Sequence, residues 1–136
     1  MKSCRSWIRS SNPSGNRVAL ALAASLALAP AAAQAAGDPA AGKTTYTQFC
    51  VTCHGEGGKG DGPVGKALTP PPRDFTKGDF KFDADKDGKP GTDADLKGVI
   101  TKGAGAFGGN QLMAPWGHLP ASDVDNLIAY IRTLKQ

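Results

Sequence analysis

Two thiols and an imidazole fall within five residues, Cys50-Val51-Thr52-Cys53-His54. Thiols two residues apart can each add to one of two vinyl groups on the edge of a haem. The histidine that follows directly can then reach the iron from below. The spacing reads as a c-type haem attachment site, with His54 Nε2 as the proximal ligand. Other readings of the five residues ask for features the chain does not have. A thioredoxin-like motif wants its cysteine pair at a helix start after a strand, whereas Ala40 to Phe49 reads as helix. A structural zinc site needs a second ligand pair, but no cysteine follows Cys53 and His118 is the only other histidine. A disulfide across so short a loop closes little entropy and has no use for His54.

The elements that must position this motif read as helices. Asp38 is suited to N-cap a first helix with Pro39 at its first position, running to the haem motif. Gly42 lies inside it at a cost of ~1 kcal/mol against alanine. Gly42, Tyr46 and Cys50 share one face, so a glycine there lets a second helix cross at close range. The last segment can supply that helix, with Ser122 as the expected N-cap and Asp123 and Asp125 favourable to the dipole. Val124, Leu127, Ile128, Ile131 and Leu134 form its apolar stripe, with Tyr130 beside it. A middle helix is expected from Asp93 to Lys102, capped by Thr92 and stopped by Gly103. No two-residue alternation and no repeat is visible. The expected fold is all-α: three main helices and long loops around one covalent haem.

A sixth ligand for the iron is sought between Gly103 and the last helix, where Met113-Ala114-Pro115-Trp116 occurs. A thioether on a loop fixed by a nearby proline is a sensible distal ligand, and His/Met ligation favours electron shuttling over oxygen binding. His118 and an open sixth site are the alternatives, and packing in a core is the ordinary use of a methionine.

Residues 1–35 read as a secretory signal peptide. Lys2, Arg5, Arg9 and Arg17 precede an apolar run from Val18 to Ala29, and Ala33-Gln34-Ala35 fits the cleavage rule. The mature domain is then expected to span 36–136. An uncleaved anchor is the alternative, although the apolar stretch falls short of the ~20 residues of a membrane span. Loss of those four cations leaves twelve basic and twelve acidic residues from the original 16 and 12. The basic pI is thus a targeting feature and gives no argument for nucleic acid. Cys4 leaves with the signal, so the mature chain keeps only the two motif cysteines. Its glycine- and proline-rich stretch from Gly55 to Pro72 cannot pack a core alone, and an apolar cofactor would make good that shortage.

The chain resembles the class I cytochromes c, specifically the small exported bacterial monohaem type. The resemblance rests on Gly42 and Tyr46 in the first helix, the Cys50–His54 motif, Gly62-Pro63, Pro72-Arg73-Asp74-Phe75, Met113 to Trp116, and Leu127 with Tyr130. It implies that the first helix crosses the last, and that a proline carbonyl accepts from His54 Nδ1–H. Pro63 matches that proline best, with Pro70, Pro71 and Pro72 as alternatives. Ala114 departs from the pattern, since many relatives place proline directly after the ligand methionine. Arg73 and Trp116 are candidates to contact the haem propionates, or are ordinary surface and packing groups.

Asp83 to Gly88 resembles the first half of a calcium-binding loop. Position twelve is Ala94 where a glutamate is required, so a solvated acidic turn is expected and calcium is not. No catalytic acid, base or nucleophile set is evident. The expected function is therefore a periplasmic one-electron carrier and not an enzyme by itself. It would work with redox partner proteins, touch a membrane only through a partner complex or an uncleaved signal, and exist free or as the haem subunit of a larger oxidoreductase. A haem-based sensor or ligand-binding protein with a labile sixth site is the alternative, and a peroxidase-like enzyme with His118 as distal base a third.

Overall fold

The computed structural model describes residues 37–136; the expected signal peptide lies outside them. Four α-helices and three short 3-10 turns occur among these residues, with no strand. The helices are α1 (Pro39–Phe49), α2 (Val51–His54), α3 (Asp93–Lys102) and α4 (Ala121–Thr133). Three are the expected long helices. The fourth is a single turn that carries most of the haem motif, joined to α1 through Cys50, which stays in the right-handed helical region at a stretched φ of −115°.

Local chemistry sets most of the boundaries. Asp38 caps α1 by accepting from the Ala40 amide at 2.8 Å, with Pro39 at the first position. Thr92 and Asp95 form a reciprocal capping box at the start of α3, which satisfies two orphan amides at once. Gly103 ends it at φ 79°, a conformation that glycine adopts without Cβ strain. The start of α4 differs from expectation. Pro120 is the cap residue, no side chain caps the helix, and Ser122 already lies inside the first turn. There its hydroxyl faces Asp123 at 3.5 Å instead of a backbone amide. Proline's restricted φ suits the entry to a helix, so α4 starts a residue or two earlier than a hydroxyl cap at Ser122 would have it.

Helices α1 and α4 cross where Gly42 meets the backbone of Asn126, and a Cβ at Gly42 would collide with the Asn126 carbonyl. The Asp38 amide also donates to Asn126 Oδ1 at 2.7 Å. Tyr46 and Leu127 are each 1% exposed at this crossing, and Tyr46 packs on Tyr130 with ring centroids 5.1 Å apart. Val124, Ile128 and Ile131 extend the buried stripe of α4 to Leu96 and Ile100 of α3. Lys97 bridges to Asp125 at 2.8 Å, but this pair is half-exposed and contributes under about 1 kcal/mol. Apolar burial, worth roughly 25 cal/mol per Å², therefore dominates the joining of the three helices.

Candidate haem-binding site

The helices enclose one side of a cavity of about 530 Å³ whose lining includes Cys50, Cys53, His54, Arg73, Met113 and Trp116. Pro63 is absent from that lining and is exposed on the surface. The contact expected of its carbonyl belongs instead to Arg73, whose backbone oxygen lies 3.3 Å from His54 Nδ1. Segment Gly60–Val64 folds back on the motif backbone, with the Gly62 amide donating to Cys53 O and the Val64 amide to Thr52 O. That turn leaves Pro63 on the surface, out of the cavity lining. Proline Pro72 comes next before Arg73, so the sequence pattern located the right stretch among its alternatives and missed the residue.

A carbonyl can only accept, so the Arg73 contact places the proton on Nδ1 and leaves the Nε2 lone pair for a metal. Burial pulls the pKa of His54 below its ordinary value, and the Arg73 hydrogen bond opposes this only partly. The imidazole is thereby held neutral, as a metal ligand must be. The Phe75 ring stacks on it at 4.4 Å and 15°, which fixes the ring plane. Tyr46 Oη donates to the Gly55 carbonyl at 2.7 Å and ties the end of α2 to the buried crossing. Phe75 itself is anchored by its amide, which donates to Gly58 O at 2.7 Å.

Both motif cysteines line the cavity as free thiols. Burial, and then the neighbouring Cys53, push the Cys50 thiol up to about 11. Redox-active Cys-x-x-Cys pairs have the opposite shift. A thioredoxin-like role is therefore disfavoured on chemistry as well as on context.

Met113 also lines the cavity, on a loop tied at several points. Its amide donates to Asn110 O at 3.2 Å, and the Trp116 amide donates to Ile100 O at 2.9 Å. Asn110 accepts from the Leu112 amide at 2.9 Å and donates from Nδ2 to Pro70 O at 3.1 Å. Gly103 matters here too, because a Cβ there would lie 2.8 Å from the Met113 carbonyl. His118 is exposed, is not in the cavity lining, and packs against Trp116 with ring centroids 5.6 Å apart. Trp116 contacts Phe49 at 5.0 Å. Arg73 pairs with Asp79 at 3.6 Å. Asn110 is a functional residue that the motif pattern misses, and its signal in the sequence is an Asn three residues before the candidate ligand, able to make an Asx turn.

The acidic turn forms as expected. Asp83, Asp85 and Asp87 bring their oxygens within 4.8 Å of one another. Their carboxylates also accept from backbone amides of Asp87, Gly88 and Lys89, the usual work of aspartates in a turn. Asp95 does not join them, because its own carboxylate is engaged by Ala84 and Thr92.

Two thiols, a neutral imidazole and an apolar cavity of this size, with a methionine also in its lining, fit a c-type haem and define a haem protein of the all-α kind. The chain belongs to the cytochrome c family, whose match covers residues 39–135. It is a class I cytochrome c and carries one covalently bound c-type haem, with haem-based electron transfer as its general function. It is 40% identical over 105 residues to cytochrome c-554(547) of Halothiobacillus neapolitanus, across 74% of this chain and all of that protein. It also resembles a chain of the reducing HAO-like protein complex of Kuenenia stuttgartiensis, at 33% identity and a TM-score of 0.60. That likeness covers 70% of this chain but only 41% of the other.

Proposed function

We propose that the protein is an exported, periplasmic one-electron carrier whose haem iron is held by His54 and Met113. Bound in the cavity, the haem supplies an iron that passes between ferrous and ferric states. The residues of the chain do the rest. Cys50 and Cys53 hold the porphyrin edge, the Arg73 carbonyl keeps the His54 tautomer, and the aliphatic wall of α3 and α4 excludes water. One observation carries the ligand assignment: Met113 lines the cavity while His118, its rival, is on the surface. A thioether favours ferrous iron and fills the sixth position, which suits electron transfer.

Export rests on the signal-like residues 1–35, and no helix among the described residues is long and apolar enough to cross a membrane. The protein would exchange electrons with donor and acceptor proteins, either free or, as the Kuenenia likeness allows, as the haem subunit of a larger oxidoreductase. It has no catalysis of its own in this reading. Carbon monoxide added to the reduced protein separates carrier from sensor. A carrier with Met113 bound resists it, whereas rapid, stoichiometric binding would instead support a haem-based sensor.

A further inference from the structure

Asp95 is the sole buried carboxylate among the described residues, 1% exposed, and it lines the same cavity as His54. Its Oδ1 accepts from the amides of Ala84 and Asp85, and its Oδ2 from the amide and hydroxyl of Thr92. No lysine or arginine among the described residues pairs with it. The other acidic residue of the cavity lining, Asp74, lies near Lys77 and is partly solvated. We propose that Asp95 is a potential-tuning residue: its buried, unpaired negative charge in the cavity wall holds the iron's reduction potential down.

The argument is electrostatic. Four hydrogen bonds solvate the carboxylate and keep it ionised, since burial alone would raise its pKa and the Thr92, Ala84 and Asp85 donors lower it. Those donors are neutral dipoles, and a dipole's field falls away faster than that of a net charge. A full negative charge is therefore felt at the cavity, in surroundings of low polarity where solvent screens it weakly. A negative charge stabilises ferric over ferrous iron. Aspartates on the surface act through water and salt and have far less effect.

The inference rests on the one-electron carrier reading, and its test separates the two. Midpoint potentials of the haem-loaded protein would be measured by spectroelectrochemistry at low and high salt. Asp95→Asn and Asp95→Ser remove the charge, and each should raise the potential by a shift that survives high salt. Asp95→Glu keeps the charge and should hold the potential near wild type even where stability falls. Asp93→Asn, on the exposed side of the same turn, should give a small shift that high salt removes. A merely structural role predicts the reverse sign, because a loosened wall admits water and lowers the potential. An unchanged or lowered value in a neutral variant that keeps the wild-type absorption spectrum overturns the proposal. Should both neutral variants fail to assemble, Asp95→Gln, which also removes the charge, must raise the potential by a shift that survives high salt, and an unchanged or lowered value would overturn the proposal. A wild type that lacks a reversible couple or binds carbon monoxide at once would overturn the carrier reading instead.

Discussion

His54 and Met113 line one cavity from elements of opposite character. His54 is 8% exposed, on a helical turn whose backbone is bonded to Gly60, Gly62 and Val64, with Phe75 stacked on its ring. Met113 stands on a turn beside Leu112, which is 69% exposed, and relies on Asn110, Gly103 and the Trp116 amide for its place. The proximal wall is over-determined, because several independent contacts set one ring. The loop of Met113 is tied too, but by hydrogen bonds of its backbone and of Asn110 rather than by a ring stacked on the side chain itself. Local opening draws on elements with few buried contacts, so ligand exchange should occur at Met113 while His54 stays in place.

The sharpest way to break the proximal side is to remove its covalent bonds. Cys50→Ala with Cys53→Ala should abolish covalent haem, read by extraction with acidified solvent after denaturation. Haem that stays attached would refute the assignment. Phe75→Ala removes the ring against His54 and should cost about 3 kcal/mol of stability through the cavity it leaves, seen in denaturant unfolding. The reduced variant should still resist carbon monoxide, because Met113, the proposed sixth ligand, is untouched. Asn110→Ala should cost only about 1 kcal/mol for its lost hydrogen bonds, yet should speed carbon monoxide binding measurably. If Phe75→Ala opened the iron and Asn110→Ala did not, the contrast between the walls would be reversed. Smallest is an acid effect at Asp95. Its folded pKa lies below its ordinary value, so its contribution to stability is present above an unfolded value of ~3.9 and is lost as pH falls through the folded value. Acid unfolding of Asp95→Ser should accordingly lose less stability below pH ~4 than the wild type.

What could be read before folding follows the same division. The motif, the caps at Asp38 and Thr92, the Gly42 crossing and the α4 stripe are encoded by short-range spacing, so sequence alone located them. The partner of His54 Nδ1 could not be read, because a backbone carbonyl carries no residue signature and Arg73 is 19 positions away. Pro63 fits the family pattern for that partner, but the turn at Gly62 carries it to the surface. Ser122 looked like a cap by type, but Pro120 starts the helix. Asn110 and the burial of Asp95 depend on long-range packing, between residues 40 positions apart in the first case. Asp95 stands one place beyond the position where a calcium loop needs its last ligand, and its actual work is to cap α3 and hold the acidic turn.

The account turns on the sulfur of Met113, and the comparison of Met113→Ala with His118→Ala tests it most directly. Reduction potential and carbon monoxide binding would be measured on both haem-loaded variants. Met113→Ala should lower the potential and admit carbon monoxide to the reduced iron, with the covalent haem retained. His118→Ala should alter neither. The reverse result, an open iron in His118→Ala and a silent Met113→Ala, would contradict His/Met ligation and make the haem bis-histidine.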